Sequence, residues 1–436
     1  MNNAFANMKD SGVEWIGKIP EHWELSKMKR VLRNASIKGH PEAQVLSLYR
    51  EYGVIPKDSR DDNHNVTSED TASYKYVENG DLVINKMKAW QGSLGLSQYE
   101  GIVSPAYYVC KFISNRISRK FLHHLIRSKA YAQEFERLST GMRVGQWDLG
   151  IDDFLRVPLL LPPFPEQEAI AAYLDEKCTA IDDIITEAKA SIEEYKAWKA
   201  SVIFEAVTKG LNPNAEMKDS GVEWIGKIPI NAEVIKLKYL IHGYKAGPFG
   251  SSLITGNLLT EGSILVYTPE HIAKKTVLTD KNLFLPIERK MEMSQFFVEP
   301  GDIIFPIVGS LGRAMQISSD MPSGIINQRL AKFRLNEEKV DSVYFMWLFA
   351  NSSFYSTYID RYQRGSIIVN LTKSIIGEMP FVLPCLPTQR KIATYLDEKC
   401  AAIDGIIAEK ETLITELETY KKSLIFETVT GKRRVC

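Results

Sequence analysis

The chain has 436 residues, 44% hydrophobic and 25% charged, with 54 Lys and Arg balanced by 54 Asp and Glu. That length allows two or more domains with separate cores, and the composition is that of a globular protein, not a disordered or fibrous one. The longest apolar runs, such as Val157–Phe164, are short and broken by proline, which excludes a membrane-spanning helix.

At the N-terminus, Met1–Met8 lacks the charged start and apolar centre of a secretion signal. The five cysteines (Cys110, Cys178, Cys385, Cys400, Cys436) are odd in number and contain no Cys-x-x-Cys pair. They fit free thiols in a reducing cytoplasm and argue against a zinc finger. The run Met8–Pro20 recurs without change as Met217–Pro229, and Tyr173–Cys178 recurs as Tyr395–Cys400, while the stretches between diverge. Such a chain reads as one scaffold presenting two different inserts. The predicted divisions are 1–161 (lead-in and first insert), 162–210 (first long helix), 211–383 (second lead-in and insert) and 384–436 (second long helix and basic tail).

Both inserts read as mixed α and β. Asp81–Asn85 and Asp302–Pro306 look like strands, and each follows an acidic-x-Gly turn, Glu78-Asn-Gly80 or Glu299-Pro-Gly301. Phe121–Arg127 and Tyr344–Phe349 look like helices at matching places, so the inserts are expected to share a fold and differ on the surface. Charge is segregated despite its zero sum. Lys111–Arg143 is basic and Glu166–Lys209 is acidic, so overall neutrality does not exclude a nucleic-acid partner.

The helical zones carry the clearest period. Leu174, Cys178, Ile181, Ile185, Ala188, Ile192, Tyr195, Lys199 and Val202 are spaced alternately by four and three. Leu396, Cys400, Ile403, Ile407, Lys410, Ile414, Leu417, Lys421 and Leu424 keep the same register. That is a coiled-coil seam, with its lysines expected near the ends or snorkelling. Pro165 and Pro387 are expected just before each helix, where a missing N–H does no harm, and Gly210 and Gly431 just past each helix, where a left-handed residue is wanted. Each helix would be about 65 Å long at about 1.5 Å per residue. Pairing the two copies, most simply antiparallel, gives an α+β molecule with internal pseudo-two-fold symmetry, its two mixed domains separated by a long coiled-coil pair.

The wording of these segments resembles the repeats of Type I restriction–modification specificity (S) subunits. The first copy has Pro162-Pro-Phe-Pro-Glu-Gln-Glu-Ala-Ile170, Tyr173-Leu-Asp175, Ala180-Ile-Asp182 and Ala206-Val-Thr208. The second has Pro384-Cys-Leu-Pro-Thr-Gln-Arg-Lys-Ile392, Tyr395-Leu-Asp397, Ala402-Ile-Asp404 and Thr428-Val-Thr430, departing at Cys385 and Thr388, where the family favours proline and glutamate. The resemblance implies that each insert is a target recognition domain reading half of a bipartite double-stranded DNA site. The helices act as a ruler for the gap. Two modification (methyltransferase) subunits and the restriction (translocase/endonuclease) subunits are the implied partners. The chain itself is then a non-catalytic part of an endonuclease and adenine methyltransferase complex acting in the cytoplasm against foreign DNA. The alternative from the residues is a coiled-coil scaffold that binds proteins only, without sequence-specific DNA binding.

The absence of chemistry motifs agrees. Leu161-Pro-Pro-Phe164 has leucine where an amino-methyltransferase loop needs Asn or Asp to hold the target amino group, so it reads as a helix-entry turn. No Gly-x-x-x-x-Gly-Lys-Ser/Thr phosphate loop occurs. Asp175-Glu-Lys177 and Asp397-Glu-Lys399 read as solvated helix faces, not nuclease fragments. The adjacent His123 and His124 point apart on a helix and are a poor metal pair; no cofactor is expected. The DNA-contact candidates are Lys86, Lys88, Trp90, Arg143 and Gln146 in the first domain, and Lys245, Arg313, Gln328, Arg329 and Arg364 in the second. They are basic, amide or aromatic residues near turns, and Arg143 and Arg364 lie close to Gly141 and Gly365. Trp15, Trp224, Tyr173, Tyr395, Trp198 and Tyr420 are candidates for partner docking, with core packing as the competing role for the two tryptophans of the lead-ins and a place beside the seam as the competing role for the other four.

Overall fold

A computed structural model describes residues 7–50, 53–59, 71–141, 147–248, 253, 258–277, 282–309, 312–350, 353–360 and 371–435. The helices in chain order are α1 (Arg119–Arg127), α2 (Lys129–Leu138), α3 (Ile151–Arg156), α4 (Phe164–Lys209), α5 (Pro269–Lys274), α6 (Ser342–Ala350), α7 (Ser353–Asp360), α8 (Lys373–Gly377) and α9 (Leu386–Val429). Contacts divide the chain into two compact units, Met1–Lys189 with Glu411–Cys436, and Ala190–Lys410. The division falls inside both long helices instead of at their ends.

In the first unit the lead-in folds as a hairpin, Met8–Asp10 on Lys18–Pro20. A four-stranded antiparallel sheet runs Leu32–Asn34, Tyr107–Phe112, Leu82–Asn85, Leu94–Leu96. Leu82–Ile84 of its strand Leu82–Asn85 form an unbroken apolar run because both faces are covered there. The turn before it needs Gly80 at φ +88°, and the Asp81 carboxylate closes that turn by accepting the Glu78 N–H at 2.9 Å. α1 covers the sheet with Phe121, Leu122, Leu125 and Ile126, and Trp15 of the lead-in meets Tyr131 of α2 edge-on at 4.9 Å.

The second unit repeats this plan. Its hairpin is Met217–Asp219 on Lys227–Pro229. Its four-stranded sheet runs Ile241–Ala246, Leu330–Leu335, Ile303–Pro306, Met315–Gln316. Gly301 stands at φ +91°, and Asp302 accepts the Glu299 N–H at 3.0 Å. α6 buries Tyr344, Phe345, Leu348 and Phe349, and Trp224 meets Phe354 at 4.5 Å. The expected strands and helices at matching positions are therefore present in both inserts.

In each unit one short antiparallel pair leads into the long helix: Glu24–Lys27 with Pro158–Leu161, and Glu233–Lys236 with Pro380–Leu383. A buried glutamine then ties the helix start to the sheet-covering helix. Gln167 accepts the backbone N–H of Ser118, the residue capping α1, at 2.7 Å, and donates to the carbonyls of Arg116 and Pro162 at 2.9 and 2.8 Å. Gln389 accepts the N–H of Asp341 at 2.8 Å and donates to Lys339 and Pro384 at 2.9 and 2.8 Å. Both glutamines are fully buried. Pro165 and Pro387 fall inside the first helical turn, not before it, where a missing N–H still breaks no helical bond. Gly210 and Gly431 have φ +74° and +71°, as a residue past a helix end requires.

The seam is as the period predicts. Within the first unit Leu174, Cys178, Ile181, Ile185 and Ala188 of α4 are buried, and Leu424 and Val429 of α9 join the same core. Within the second, Ile203, Ala206 and Val207 of α4 share a core with Ile392, Leu396 and Cys400 of α9. The pairing is antiparallel in each unit: Asp182 lies opposite Lys421, and Lys199 opposite Asp404. Two of the three seam lysines, Lys199 and Lys421, are not simply snorkelling. Lys421 donates to both oxygens of Asp182 at 2.7 and 2.6 Å, and Lys199 to both of Asp404 at 2.7 and 2.6 Å, so each charge is matched across the helix pair. Among the described cysteines all four are free thiols, and burial pushes Cys110 up to about 12.

Candidate nucleic-acid interface

In both units the central strands of the sheet end at the same place, where Lys86 stands in the first unit and Gln328 and Arg329 in the second. In the first unit, strand Leu82–Asn85 runs out into Lys86, whose N–H meets the carbonyl of Ala106 and whose own carbonyl accepts the N–H of Leu149 at 2.9 Å. The Lys86 ammonium donates to Asp148 at 2.9 Å, and that bond raises its pKa. Trp90 donates its indole N–H to the Met87 carbonyl at 3.1 Å and lies 5.6 Å from the Trp147 ring. Two of the three described candidates here are thus engaged inside the unit. Lys88 is exposed, and it lines a concavity of about 390 Å³ together with Lys57, Tyr74, Asn85, Ser104 and Tyr107. Arg143 and Gln146 lie outside the described residues; Thr140 and Asp148, on either side of them in sequence, pair through two backbone hydrogen bonds of 3.1 and 2.9 Å.

In the second unit, Gln328 and Arg329 are exposed on a turn at the equivalent end of the sheet. Arg313 is exposed beside a concavity of about 460 Å³ lined also by Lys275, Met315, Met321 and Met346. Lys245 donates to the Gln295 side chain and stands 5.3 Å from the centre of the Phe296 ring. Arg364 and Gly365 lie outside the described residues. The sequence reading missed Asn85 and Ser104, which line the first concavity. The available signal was the alignment of Gly101-Ile-Val-Ser104 with Gly324-Ile-Ile-Asn327, which places a short polar residue at the same strand end twice.

The docking candidates fall into two groups. Trp15 and Trp224 are half-buried against rings of their own units. On the helices, Trp198, Tyr395 and Tyr420 are exposed, with Lys399 4.8 Å from the Trp198 ring, while Tyr173 is half-buried with Lys177 6.0 Å from its ring.

Glu176, Lys177, Asp397 and Glu398 are exposed, as a solvated helix face requires, while Asp175 is half-buried and both aspartates are also bonded. Asp175 accepts His124 Nε2 and Lys120 Nζ at 2.8 and 2.9 Å, and Asp397 accepts the indole N–H of Trp347 at 2.8 Å. Each therefore ties a long helix to the α-helix over its sheet. Burial alone would raise the Asp175 carboxyl, but the bonds from Lys120 and His124 hold it below the usual carboxylate range. Among the described residues no group of three His, Cys, Asp or Glu side chains is placed to hold a metal ion, and no helix is long and apolar enough to cross a membrane.

The duplicated frame, with its glutamine-tied long helices, has a clear counterpart among known proteins. The Type I restriction modification DNA specificity domain matches residues 20–194 and 290–419, most of the chain. The chain belongs to this family. Two curated relatives from Methanocaldococcus jannaschii, the Type I restriction enzyme MjaVIII specificity subunit and the putative type I restriction enzyme MjaX specificity subunit, are each 23% identical to it. The alignments cover 96% of this chain in both cases, and 94% and 96% of the relatives. Among solved structures, a chain from work on complex assembly and conformational transition of the type I R-M system superposes with a TM-score of 0.71 at 15% identity, covering 94% of this chain and 98% of that one. The HsdS subunit from Thermoanaerobacter tengcongensis superposes at 0.54 and 15% identity, covering 95% and 98%. As a Type I specificity subunit the chain recognises DNA sequence and works within a restriction–modification complex, whose catalysis lies in other subunits.

Proposed function

We propose that each unit of this specificity subunit reads one half of a bipartite double-stranded DNA site, and that α4 and α9 set the unspecified gap between the halves. The recognition domains are residues 1–161 and 211–383, and the helical spine comprises 162–210 and 384–436. The observation that carries this reading is the repeated sheet end, built on the same frame twice but furnished with different side chains. Specific bases are read by side chains on groove edges, while phosphate contacts only position a protein. Half-sites on one face of B-DNA lie about 34 Å apart per turn, a separation that stiff paired helices can hold and a flexible linker cannot. Two modification subunits, docking at the exposed aromatics of the helices, and the restriction subunits complete the assembly in the cytoplasm, where adenine methylation marks the cell's own DNA.

The test is selection of bound duplexes from a random library by the chain assembled with its modification subunits, at several salt concentrations. A two-part motif with a fixed gap, bound with steep salt dependence, is expected. Binding without any sequence preference would instead leave a protein-only scaffold as the better account. Lys88, Arg313, Gln328 and Arg329 are the described contact candidates best placed to act.

A further inference from the structure

We infer that the turn Asn327–Arg329 is a purine-reading head in which Gln328 and Arg329 are the specificity-determining pair, and that the same turn in the first unit, Ser104–Ala106, reads by apolar contact through Pro105 and Ala106. This rests on the DNA-reading function proposed above and names the bases that it addresses.

The backbone of the turn is held from every side. Asn327 N–H donates to the carbonyl of Tyr267 at 3.1 Å, and the carbonyl of Arg329 accepts the N–H of Ile307 at 2.9 Å. The Asn327 side chain accepts the N–H of Arg329 at 3.0 Å, and its carbonyl accepts the N–H of Leu330 at 3.1 Å. Gly247 lies flat against the turn: a Cβ there would stand 1.9 Å from the Asn327 carbonyl oxygen, so only glycine fits. The two side chains carried by this clamped backbone are exposed, and among the described residues neither has a hydrogen-bond or ion-pair partner. A fixed backbone bearing free polar side chains is the arrangement that base reading requires, because little ordering remains to be done on binding. Arginine matches guanine O6 and N7, and glutamine matches adenine N6 and N7, each through two hydrogen bonds.

The first unit builds the same turn with other residues. Ser104 Oγ accepts the N–H of Ala106 at 3.4 Å, the Ser104 carbonyl accepts the N–H of Tyr107 at 3.0 Å, and the Ala106 carbonyl accepts the N–H of Lys86 at 3.3 Å. Pro105 and Ala106 stand where Gln328 and Arg329 stand in the second unit. Neither can donate from its side chain, and a small apolar residue suits the thymine methyl group. One frame thus presents two chemistries, and the two half-sites should differ accordingly.

The experiment uses the full chain assembled with its modification subunits and a random duplex library. Arg329→Ala should abolish preference at one guanine of one half-site, a loss of roughly ten- to hundredfold in discrimination there, and leave the other half-site unchanged. Gln328→Ala should do the same at an adenine. Arg329→Lys keeps the charge but not the paired geometry, so it should behave like Arg329→Ala at that base while keeping the salt dependence of the parent. Uniform weakening across all sequences, rescued by lysine, would make Arg329 a phosphate contact and overturn the inference. So would an unchanged motif in the variants. If the unaltered complex yields no two-part motif, the proposed function fails with it; an intact parental motif with indifferent variants defeats the purine-reading head alone.

Discussion

Single side chains decide how each recognition domain is joined to its helix. Gln167 and Gln389 are buried and use their amide donors and acceptor on three backbone groups each. Gln167→Leu strands those groups without water, at about 1–3 kcal/mol for each left unmet. A loss of at least about 2 kcal/mol is expected on denaturant unfolding; a variant as stable as the parent would show that the tie carries no weight. A residue-scale asymmetry lies over the sheets. His123 and His124 in α1 correspond to Met346 and Trp347 in α6, so Asp175 receives an imidazole where Asp397 receives an indole. Burial, with the charges of Arg127 and His124, lowers His123 from 6.5 to about 3, and burial likewise lowers His124 against the pull of Asp175. Both histidines take up protons less readily in the folded chain than in the unfolded one. The contribution of His123 to stability is therefore complete above about pH 6.5 and is lost as the pH falls towards 3, and that of His124 has the same sign. Protection factors in α1, corrected for the intrinsic slowing of exchange in acid, should fall between pH 7 and 5 by more than those in α6, and His123→Met with His124→Trp should remove the difference. Equal responses in both helices of the parent would contradict this.

At the scale of elements, two of the three seam lysines, Lys199 and Lys421, meet a carboxylate across the helix pair, and the third, Lys410, stands 5.9 Å from the Tyr195 ring. Lys421 and Asp182 are about a quarter and a half exposed at their side chains, so their attraction is partly screened. Replacing Lys421 by methionine, which fills the same seam position, should change stability by no more than about 1 kcal/mol. Lys421→Asp sets two carboxylates together and should destabilise clearly more. Unfolding curves of both variants check this, and a methionine variant that fails to fold would show the ion pair to be essential. The seam itself was legible because a period of seven in apolar residues reports helix pairing directly. The matching of Lys199 to Asp404 and Lys421 to Asp182 was not, since it depends on which helix lies opposite and in which direction.

For the whole molecule, the duplication makes a geometric prediction. Inserting four residues after Ile185, and four at the equivalent Ile407, lengthens the helices by about 6 Å at about 1.5 Å per residue. The gap in the recognised DNA site should then grow by roughly one to two base pairs, taking about 34 Å for each ten-base-pair turn. Both half-sequences should stay the same. Methylation-site sequencing in cells carrying the complete system reads both quantities at once, and altered half-sequences would count against a ruler.

Repetition, the seam and the absence of catalytic motifs were decided by the amino-acid order alone, because periodicity and identity between segments are properties of a string. That order was enough to expect two related inserts and a helical pair. Which polar groups are free could be decided only by the folded chain. Lys86, Trp90 and Lys245 looked as suitable for DNA as Lys88 and Arg329, until Asp148, the Met87 carbonyl and Gln295 were found beside them. The helix faces of Asp175 and Asp397 read correctly as solvated, but the donors that α1 and α6 bring to the two carboxylates were not legible. Hydrogen bonding at a few ångströms joins residues far apart in the chain, and no local pattern records it.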